Sequence, residues 1–299
     1  MDILATTRLP RTDTTATLIK QELAPRQGIQ DYYNESTLDY EDWSAGFNMH
    51  FGYWKWGMNP FKREQMLETM SGRLIAKLRP APGETYFDLG CGVGAATRHG
   101  QKNYPFTTFK GFTLAAEQVK IANDRWPETI IHRADYHRLP EADGAADGAF
   151  FLESHCHSDN PDVLFAEVNR VLKPGGTLVI SDGFLIRPLN KCSSLFQKAH
   201  RTVSDCWAVP NFPELERNLK ALKNNGFEIE SVEDWSWRVG PSAIHAPCLS
   251  LWVALKHLVN NHHLSEWRKK HLVACALSLV LGACMKAFRY KVIVARKVA

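Results

Sequence analysis

Two short segments of the chain carry residue types that could do chemistry. The first, residues 86–94, reads Tyr-Phe-Asp-Leu-Gly-Cys-Gly-Val-Gly, an apolar run that ends in an acid and is followed by three alternating glycines. Glycine has no Cβ and adopts positive φ readily, so this turn would let a ligand approach the backbone closely. A nucleotide-like ligand at the carboxyl end of a strand in a parallel sheet is the natural occupant of such a turn.

The second segment, residues 153–157, reads Glu-Ser-His-Cys-His and follows an apolar run at 146–152 that predicts a buried strand. Side chains at the carboxyl end of that strand would lie at the edge of the sheet where the ligand binds. A carboxylate with imidazoles there could orient a hydroxyl, stabilise a cation or accept a proton. His155 and His157 lack a clear third and fourth metal ligand, so we predict no metal site.

The elements that must position these segments alternate between strand and helix over residues 80–185, which predicts parallel pairing with right-handed crossovers. The spacing Gly-x-Gly-x-Gly is not the dinucleotide fingerprint, and the second predicted strand ends at Thr113 instead of an acid. Residues 172–180 read as a helix end, a turn and a further strand. These observations indicate a nucleotide-binding α/β domain that does not use NAD.

Taken in order, the glycine turn, the Ala134-Asp135 pair and the strand at 172–180 resemble class I S-adenosylmethionine-dependent methyltransferases. The resemblance implies an α/β fold: a Rossmann-like, seven-stranded sheet with an N-terminal helical lid and a helical insertion before the last strands. It implies S-adenosyl-L-methionine as the cofactor. The family's cofactor contacts carry over to Asp88, Gly90, Gly92, Gly94, Thr113, Leu114, Gln118, Asp135 and Tyr136. For Gln118, a solvated position on a helix is an equal alternative.

Length and composition fit one enzyme domain with additions. We divide the 299 residues into an N-terminal arm and aromatic lid (1–79), a cofactor-binding core (80–185), and substrate-pocket helices with closing strands (186–299). The net charge of +4 is too small to indicate a nucleic-acid-binding protein. Seven scattered cysteines without a C-x-x-C pair favour a reduced compartment. Because residues 1–26 lack the apolar core of a secretory signal, we expect a cytoplasmic protein.

Aromatic residues are concentrated between positions 32 and 56. Aromatic faces stabilise a nearby cation by about 0.5–2 kcal/mol, although packing is the plainer role for most of these rings. Together with residues 153–157, this segment resembles sterol C-methyltransferases, and the likeness reaches Tyr32, Tyr33, Asp39, Tyr40, Glu153, Cys156 and His157. It implies methylation of an alkene carbon in an isoprenoid through a carbocation. Glu153, His157, Tyr33 and Tyr40 are then the catalytic candidates.

The C-terminal part favours a hydrophobic small-molecule substrate. Residues 272–285 carry no charge, are too short to span a membrane, and predict a core helix, a pocket lining or a bilayer contact. Trp235, Trp237 and Trp252 are candidates for further pocket wall. Sterols, prenyl diphosphates and prenylated natural products all remain open as substrates. So do O- or N-methylation of a small metabolite, a non-enzymatic scaffold, peripheral membrane contact and a homo-oligomer.

Overall fold

A mixed seven-stranded sheet organises the part of the chain that the computed structural model describes, residues 27–259 and 265–298. The N-terminal arm predicted for residues 1–26 lies outside these ranges. The strands are β1 (Thr85–Leu89), β2 (Thr108–Thr113), β3 (Ile131–Arg133), β4 (Ala146–Leu152), β5 (Leu172–Leu185), β6 (Phe227–Asp234) and β7 (Phe288–Lys297). Their order is β3-β2-β1-β4-β5-β7-β6; β7 runs antiparallel to β5 and β6, and the other described strand pairs are parallel. This order confirms the predicted fold class.

Helices cover both faces of the sheet and one end of it. They are α1 (27–36), α2 (Tyr40–Trp43), α3 (Arg63–Ala76), α4 (Ala95–Asn103), α5 (Ala116–Arg125), α6 (Pro161–Val171), α7 (Ser194–Cys206), α8 (Leu215–Asn224), α9 (Ser236–Ala243), α10 (His245–Val259) and α11 (Glu266–Ala283). Local sequence explains several of their ends. Asn160 and Ser193 cap α6 and α7 by accepting a hydrogen bond from the backbone three residues on, and Pro161 stands at the first position of α6.

The central strands are buried on both faces, as parallel strands between helices must be. Phe87 of β1 and Phe112 of β2 meet edge to face with ring centroids 5.0 Å apart. Phe150 and Phe151 of β4 point to opposite faces and are both fully buried. This packing fixes the carboxyl ends of β1, β2 and β4 at one edge, where the two chemical segments begin.

The predicted helical insertion is split by a strand. Helices α7 and α8 precede β6, whereas α9, α10 and α11 lie between β6 and β7. The uncharged stretch 272–285 belongs mostly to α11, where Ala274 and Leu281 are buried against neighbouring helices. Of the described helices, none has the length and apolar character needed to cross a membrane.

The predicted tryptophan wall is not formed. Trp235 packs edge to face on Tyr53, 4.7 Å between centroids, in the core beneath the sheet. Trp237 and Trp252 are exposed. None of the three lines a cavity described below, because Trp235 is buried in the core and the other two rings face outward; Trp207 lines the larger cavity instead.

Candidate active site

The glycine turn has the backbone conformation that the sequence predicts. Gly90, Gly92 and Gly94 have φ of 81°, 56° and 78°, a region that side-chain-bearing residues avoid. A Cβ on Gly90 would collide with Ser154, and one on Gly92 would lie 2.8 Å from Met49 Sδ. Gly92 therefore keeps space open above the turn.

A narrow cleft of about 70 Å³ runs along this turn between β1 and β2. Its lining includes Asp88, Gly90, Gly92, Thr113, Leu114, Gln118 and Tyr136, all predicted for the cofactor. Gly94 and Asp135 do not line it. Gly94 is closely packed on Ile131 of β3, and Asp135 is turned to His137, whose Nδ1 lies 2.8 Å from Asp135 Oδ1. In the structure these two residues therefore lie outside the lining of the cleft, and their role as cofactor contacts stays a prediction.

The polar groups in the cleft fit S-adenosyl-L-methionine. Asp88 is buried, accepts a 2.7 Å hydrogen bond from Thr97 Oγ1, and has its pKa raised to about 7 by burial. A buried carboxyl of this kind suits a cationic amino group, which would favour its ionised form. Gln118 is buried and bonded to Thr113, so its alternative as a solvated residue is wrong. With the space kept by Gly92, these residues would hold the cofactor.

Glu153 stands at the junction of the cleft with a second, larger cavity, and it lines both. Its Oε1 accepts hydrogen bonds from the Phe51 backbone N–H at 3.0 Å and from Tyr290 Oη at 2.8 Å. Its φ of 52° is unusual for a residue with a side chain, and such strain concentrates at functional sites. Burial raises the pKa of Glu153 to about 8 and thus favours its neutral form. A cation beside Glu153 would act the other way and favour the charged carboxylate.

His157 and Tyr33 form a hydrogen-bonded pair at the same junction. His157 Nδ1 lies 3.2 Å from the Ala208 carbonyl oxygen, which can only accept, so Nδ1 carries the proton. His157 Nε2 therefore accepts from Tyr33 Oη at 2.8 Å. Burial lowers the pKa of His157 to about 4 and keeps the ring neutral. The pair and Glu153 line both cavities, and the neutral Nε2 of His157 is a proton acceptor there.

Tyr40 and Tyr32 line the larger cavity beside α11, and the Tyr32 ring also packs edge to face on that of Tyr33, with ring centroids 4.8 Å apart. The Tyr40 ring centroid is 5.1 Å from that of His271, and Tyr32 Oη is 2.6 Å from His271 Nδ1. Asp39 forms an ion pair with Arg268 one turn earlier on α11. These contacts join the N-terminal lid to the insertion helices, and Tyr40 forms part of the cavity wall together with Tyr33 and His157.

The larger cavity, about 510 Å³, has the size of a lipid-like or drug-sized ligand site. The lid, the ends of β4 and β5, and helices α9 to α11 enclose it. Its lining is predominantly apolar and aromatic, and among the described residues it contains neither Lys nor Arg. It therefore fits an uncharged apolar molecule.

His155 does not take part in this site. Its ring is stacked between Phe165 and Phe184 at 5.7 Å from each, inside the sheet's core. The short 3-10 turn His155–His157 places the two histidines on opposite sides, so only His157 reaches the cavities. Among the residues that the structure describes, no group of three or more potential ligands could hold a metal ion.

Two residues of the site were missed from the sequence, Asp182 and Tyr290. Asp182 lies within the buried run of β5, one residue after Ser181, which pairs with the last residue of β4. It accepts hydrogen bonds from the Cys156 and Gly183 backbone N–H groups, and burial raises its pKa to about 7. The rule that ligand groups gather at the carboxyl ends of strands could have found Asp182. Tyr290 lies 137 positions from Glu153, and no sequence signal joins them.

These buried acids make stability depend on pH. Burial raises the pKa of Asp88 and Asp182 to about 7 and that of Glu153 to about 8. The folded state holds these protons more tightly than the unfolded chain does, so the protonated acids stabilise the fold. This contribution to the free energy of unfolding is complete at pH values below the ordinary pKa of a carboxyl group. It is lost as pH rises through 7 to 8. Buried histidines act oppositely: their contribution is present above the ordinary histidine value of 6.5 and lost as pH falls through about 4, for His50, His155 and His157.

Up to about pH 6.5, the loss of stability from the buried acids and the gain from the buried histidines offset each other as pH rises. Above about pH 6.5 only the loss from the acids continues. We expect the melting temperature of the cofactor-free protein to fall between about pH 6.5 and 8.5, and Glu153→Gln to reduce the fall. Thermal unfolding followed by circular dichroism at several pH values measures this. Glu228→Gln, on the exposed side of β6, is the control. An unchanged pH dependence in Glu153→Gln would contradict the raised pKa.

The chain is similar to known methyltransferases in sequence. The family described as "Methyltransferase domain" matches residues 87–180. An O-methyltransferase of Penicillium expansum is 32% identical over 230 residues, which cover 72% of this chain and 77% of that protein. A 24-methylenesterol C-methyltransferase of Arabidopsis thaliana is 26% identical over 259 residues, which cover 84% of this chain and 66% of that protein.

The fold also matches a solved structure. Geranyl diphosphate C-methyltransferase of Streptomyces coelicolor A3(2), solved with Mg²⁺, geranyl diphosphate and S-adenosyl-L-homocysteine, superposes with a TM-score of 0.67. The superposition covers 92% of this chain and 98% of that one at 18% identity. At this identity the likeness concerns the fold.

Proposed function

Because this chain belongs to the S-adenosyl-L-methionine-dependent methyltransferase family, we propose that it methylates an alkene carbon of an uncharged isoprenoid, such as a sterol or a prenylated natural product. One observation carries the proposal. Glu153, a buried carboxyl, stands where the cofactor cleft meets a large apolar cavity. The bound cofactor supplies an electrophilic methyl group.

Methylation of an alkene carbon leaves a positive charge on the neighbouring substrate carbon. The ionised carboxylate of Glu153 is placed to stabilise that charge, and Phe51 and Tyr290 hold the carboxyl in position. Aromatic faces in the wall of the cavity, those of Tyr33 and Tyr40 among them, add cation–π stabilisation. Fixed charges and dipoles in a water-poor pocket are worth more than they are in water.

The reaction ends when a proton leaves the carbon next to the charge. His157 Nε2 is the best-placed acceptor, because its neighbour Nδ1 is already committed to the Ala208 carbonyl. Tyr33 Oη, now bonded to Nε2, would turn away or relay the proton. Burial lowers the pKa of His157 to about 4 and keeps Nε2 unprotonated, and a carbocation is a strong enough acid to give its proton to so weak a base.

The charge of the larger cavity supports an uncharged substrate over a prenyl diphosphate. A diphosphate needs Lys, Arg or a metal ion to offset its charge in a buried site. The described lining has neither Lys nor Arg to meet that charge. We therefore prefer a sterol or an uncharged prenylated compound among the three substrate classes.

A second candidate is O-methylation of a hydroxyl in a natural product of similar size. It is supported by the O-methyltransferase name of the Penicillium expansum relative and by the neutral Nε2 of His157. That nitrogen could take the hydroxyl proton as the methyl group is transferred. In this reaction no carbocation forms on the substrate, so Glu153 has no substrate charge to stabilise.

The substrate class is tested with methyl-labelled S-adenosyl-L-methionine and a pooled set of sterols, uncharged prenylated phenols and prenyl diphosphates, followed by mass spectrometry. We expect label in an uncharged isoprenoid. Label confined to the diphosphates would contradict the reading of the cavity, and label confined to hydroxyl oxygen would favour the second candidate.

A further inference from the structure

We propose that one face of the protein docks on an anionic lipid bilayer and that the apolar substrate enters the larger cavity from it. This face, called here the α10 surface, consists of the loop 54–62 and the outer sides of α9 and α10. The proposal extends the function above from the chemistry to the source of the substrate. Its physical basis is an exposed apolar face, its positive charge and its continuity with the cavity.

Helix α10 exposes the apolar side that a surface helix normally buries. Starting from Ile244, just before the helix, the exposed apolar positions recur three or four residues apart: Ile244, Cys248, Leu251, Trp252 and Leu255. Positions at this spacing share one face of a helix. The opposite side of α10, with Ala246 and Val253, faces the cavity. The helix is therefore apolar on both sides, and one of them has no cover among the described residues.

The loop 54–62 extends the same face. The Trp54 backbone N–H donates to the Arg238 carbonyl oxygen at 2.8 Å, which fixes the loop to α9. His245 Nε2 is 2.8 Å from the Pro60 carbonyl oxygen, which fixes it to the start of α10. Trp56 and Phe61, 82% and 83% exposed, project from this loop. Side chains so exposed and so apolar are the kind that enter a bilayer interface.

The charge of the α10 surface selects the occupant. Residues 54–62 and 235–256 contain Lys55, Lys62, Arg238 and Lys256 and no Asp or Glu. Within the described part of the chain, Lys256 is the one of these four that forms an ion pair, with Asp42 at 3.9 Å. Basic side chains around Trp and Leu match an anionic lipid surface. A second copy of the chain would bring like charges together, so self-association through this face is disfavoured.

The cavity opens at this surface. Ile244 is 57% exposed and also lines the larger cavity. Val239 and Gly240 of α9 line the cavity beside it. An apolar substrate leaving a bilayer at this point would reach the cavity without crossing water. The cost of exposing its apolar surface to water is then avoided.

The test is vesicle co-sedimentation of the full chain with the double variant Phe61→Ser/Trp252→Ser, neither position lining a cavity. Vesicles of phosphatidylcholine with about 30% phosphatidylserine should bind the unaltered chain, and the double variant should bind at least about tenfold more weakly. Added salt should weaken binding of the unaltered chain. The matched control is Phe106→Ser, at a phenylalanine 77% exposed before β2, which should bind as the unaltered chain does.

Equal binding by the double variant, or no binding by the unaltered chain, would overturn the proposal. A dimer that the double variant dissociates would also overturn it, because the surface would then be a protein interface. Sedimentation does not require turnover, so this result is independent of which atom is methylated. Activity of the double variant on a detergent-dispersed substrate should stay within about twofold, while activity on vesicle-borne substrate falls about tenfold.

Discussion

Glu153→Gln is expected to lower the turnover number by about 100-fold or more, because it removes the carboxylate charge that stabilises the substrate cation. Affinity for S-adenosyl-L-methionine should stay within about twofold. Glutamine keeps the shape of the side chain, and its amide oxygen can still accept from the Phe51 N–H and Tyr290 Oη. Single-turnover kinetics measures the chemical step, and calorimetry measures cofactor binding.

The matched control for this change is Glu228→Gln, which neutralises an exposed carboxylate on β6 and should leave both quantities unchanged. Turnover in Glu153→Gln equal to that of the unaltered enzyme would contradict the role of Glu153. Loss of cofactor affinity together with turnover would instead indicate that Glu153 holds the junction together structurally. The carbocation mechanism requires the first pattern, a loss in the chemical step alone.

Gly92→Leu is expected to weaken S-adenosyl-L-methionine binding by about 100-fold or more, because the new side chain fills the cleft that the glycine keeps open. Already its Cβ would lie 2.8 Å from Met49 Sδ and 4.0 Å from Gln118 Nε2. The backbone there has φ of 56°, which adds strain for any side chain. Calorimetric titration of the cofactor measures the loss.

Gly175→Leu is the control that separates the effect of backbone strain from the effect of filling the cleft. Gly175 also has a positive φ, 77°, but a Cβ there would meet no atom within 4 Å. We expect this variant to lose some stability and to keep its cofactor affinity. If Gly92→Leu folds and binds the cofactor normally, the assignment of the cleft is wrong.

The sequence could predict the features that residues close together in the chain determine. Residues 86–94 specify a strand and a turn within nine positions, and the three glycines have the positive φ that their spacing indicates. The carboxyl end of β4 places Glu153 at the sheet edge for the same reason. The buried partnership of Gln118 with Thr113 spans only five residues and follows from the strand-to-helix turn between them.

What the sequence could not predict depends on contacts between distant segments. Tyr290 meets Glu153 only because β7 inserts antiparallel beside β5, and α11 meets the lid through His271 and Tyr32, 239 residues apart. His155 and His157 differ by two positions, yet a 3-10 turn sends one into the core. The exposure of Trp237 and Trp252 likewise depends on how α9 and α10 pack, which composition does not reveal.

The central claim, carbon methylation at an alkene, is tested most directly by locating the transferred methyl group. A reaction with S-adenosyl-L-methionine carrying a ¹³C-labelled methyl group, followed by NMR of the purified product, identifies the bonded atom. We predict a labelled methyl on carbon, with one substrate proton lost from a neighbouring carbon. A labelled methyl on oxygen or nitrogen would contradict the claim and assign Glu153 and His157 to a heteroatom methyltransferase.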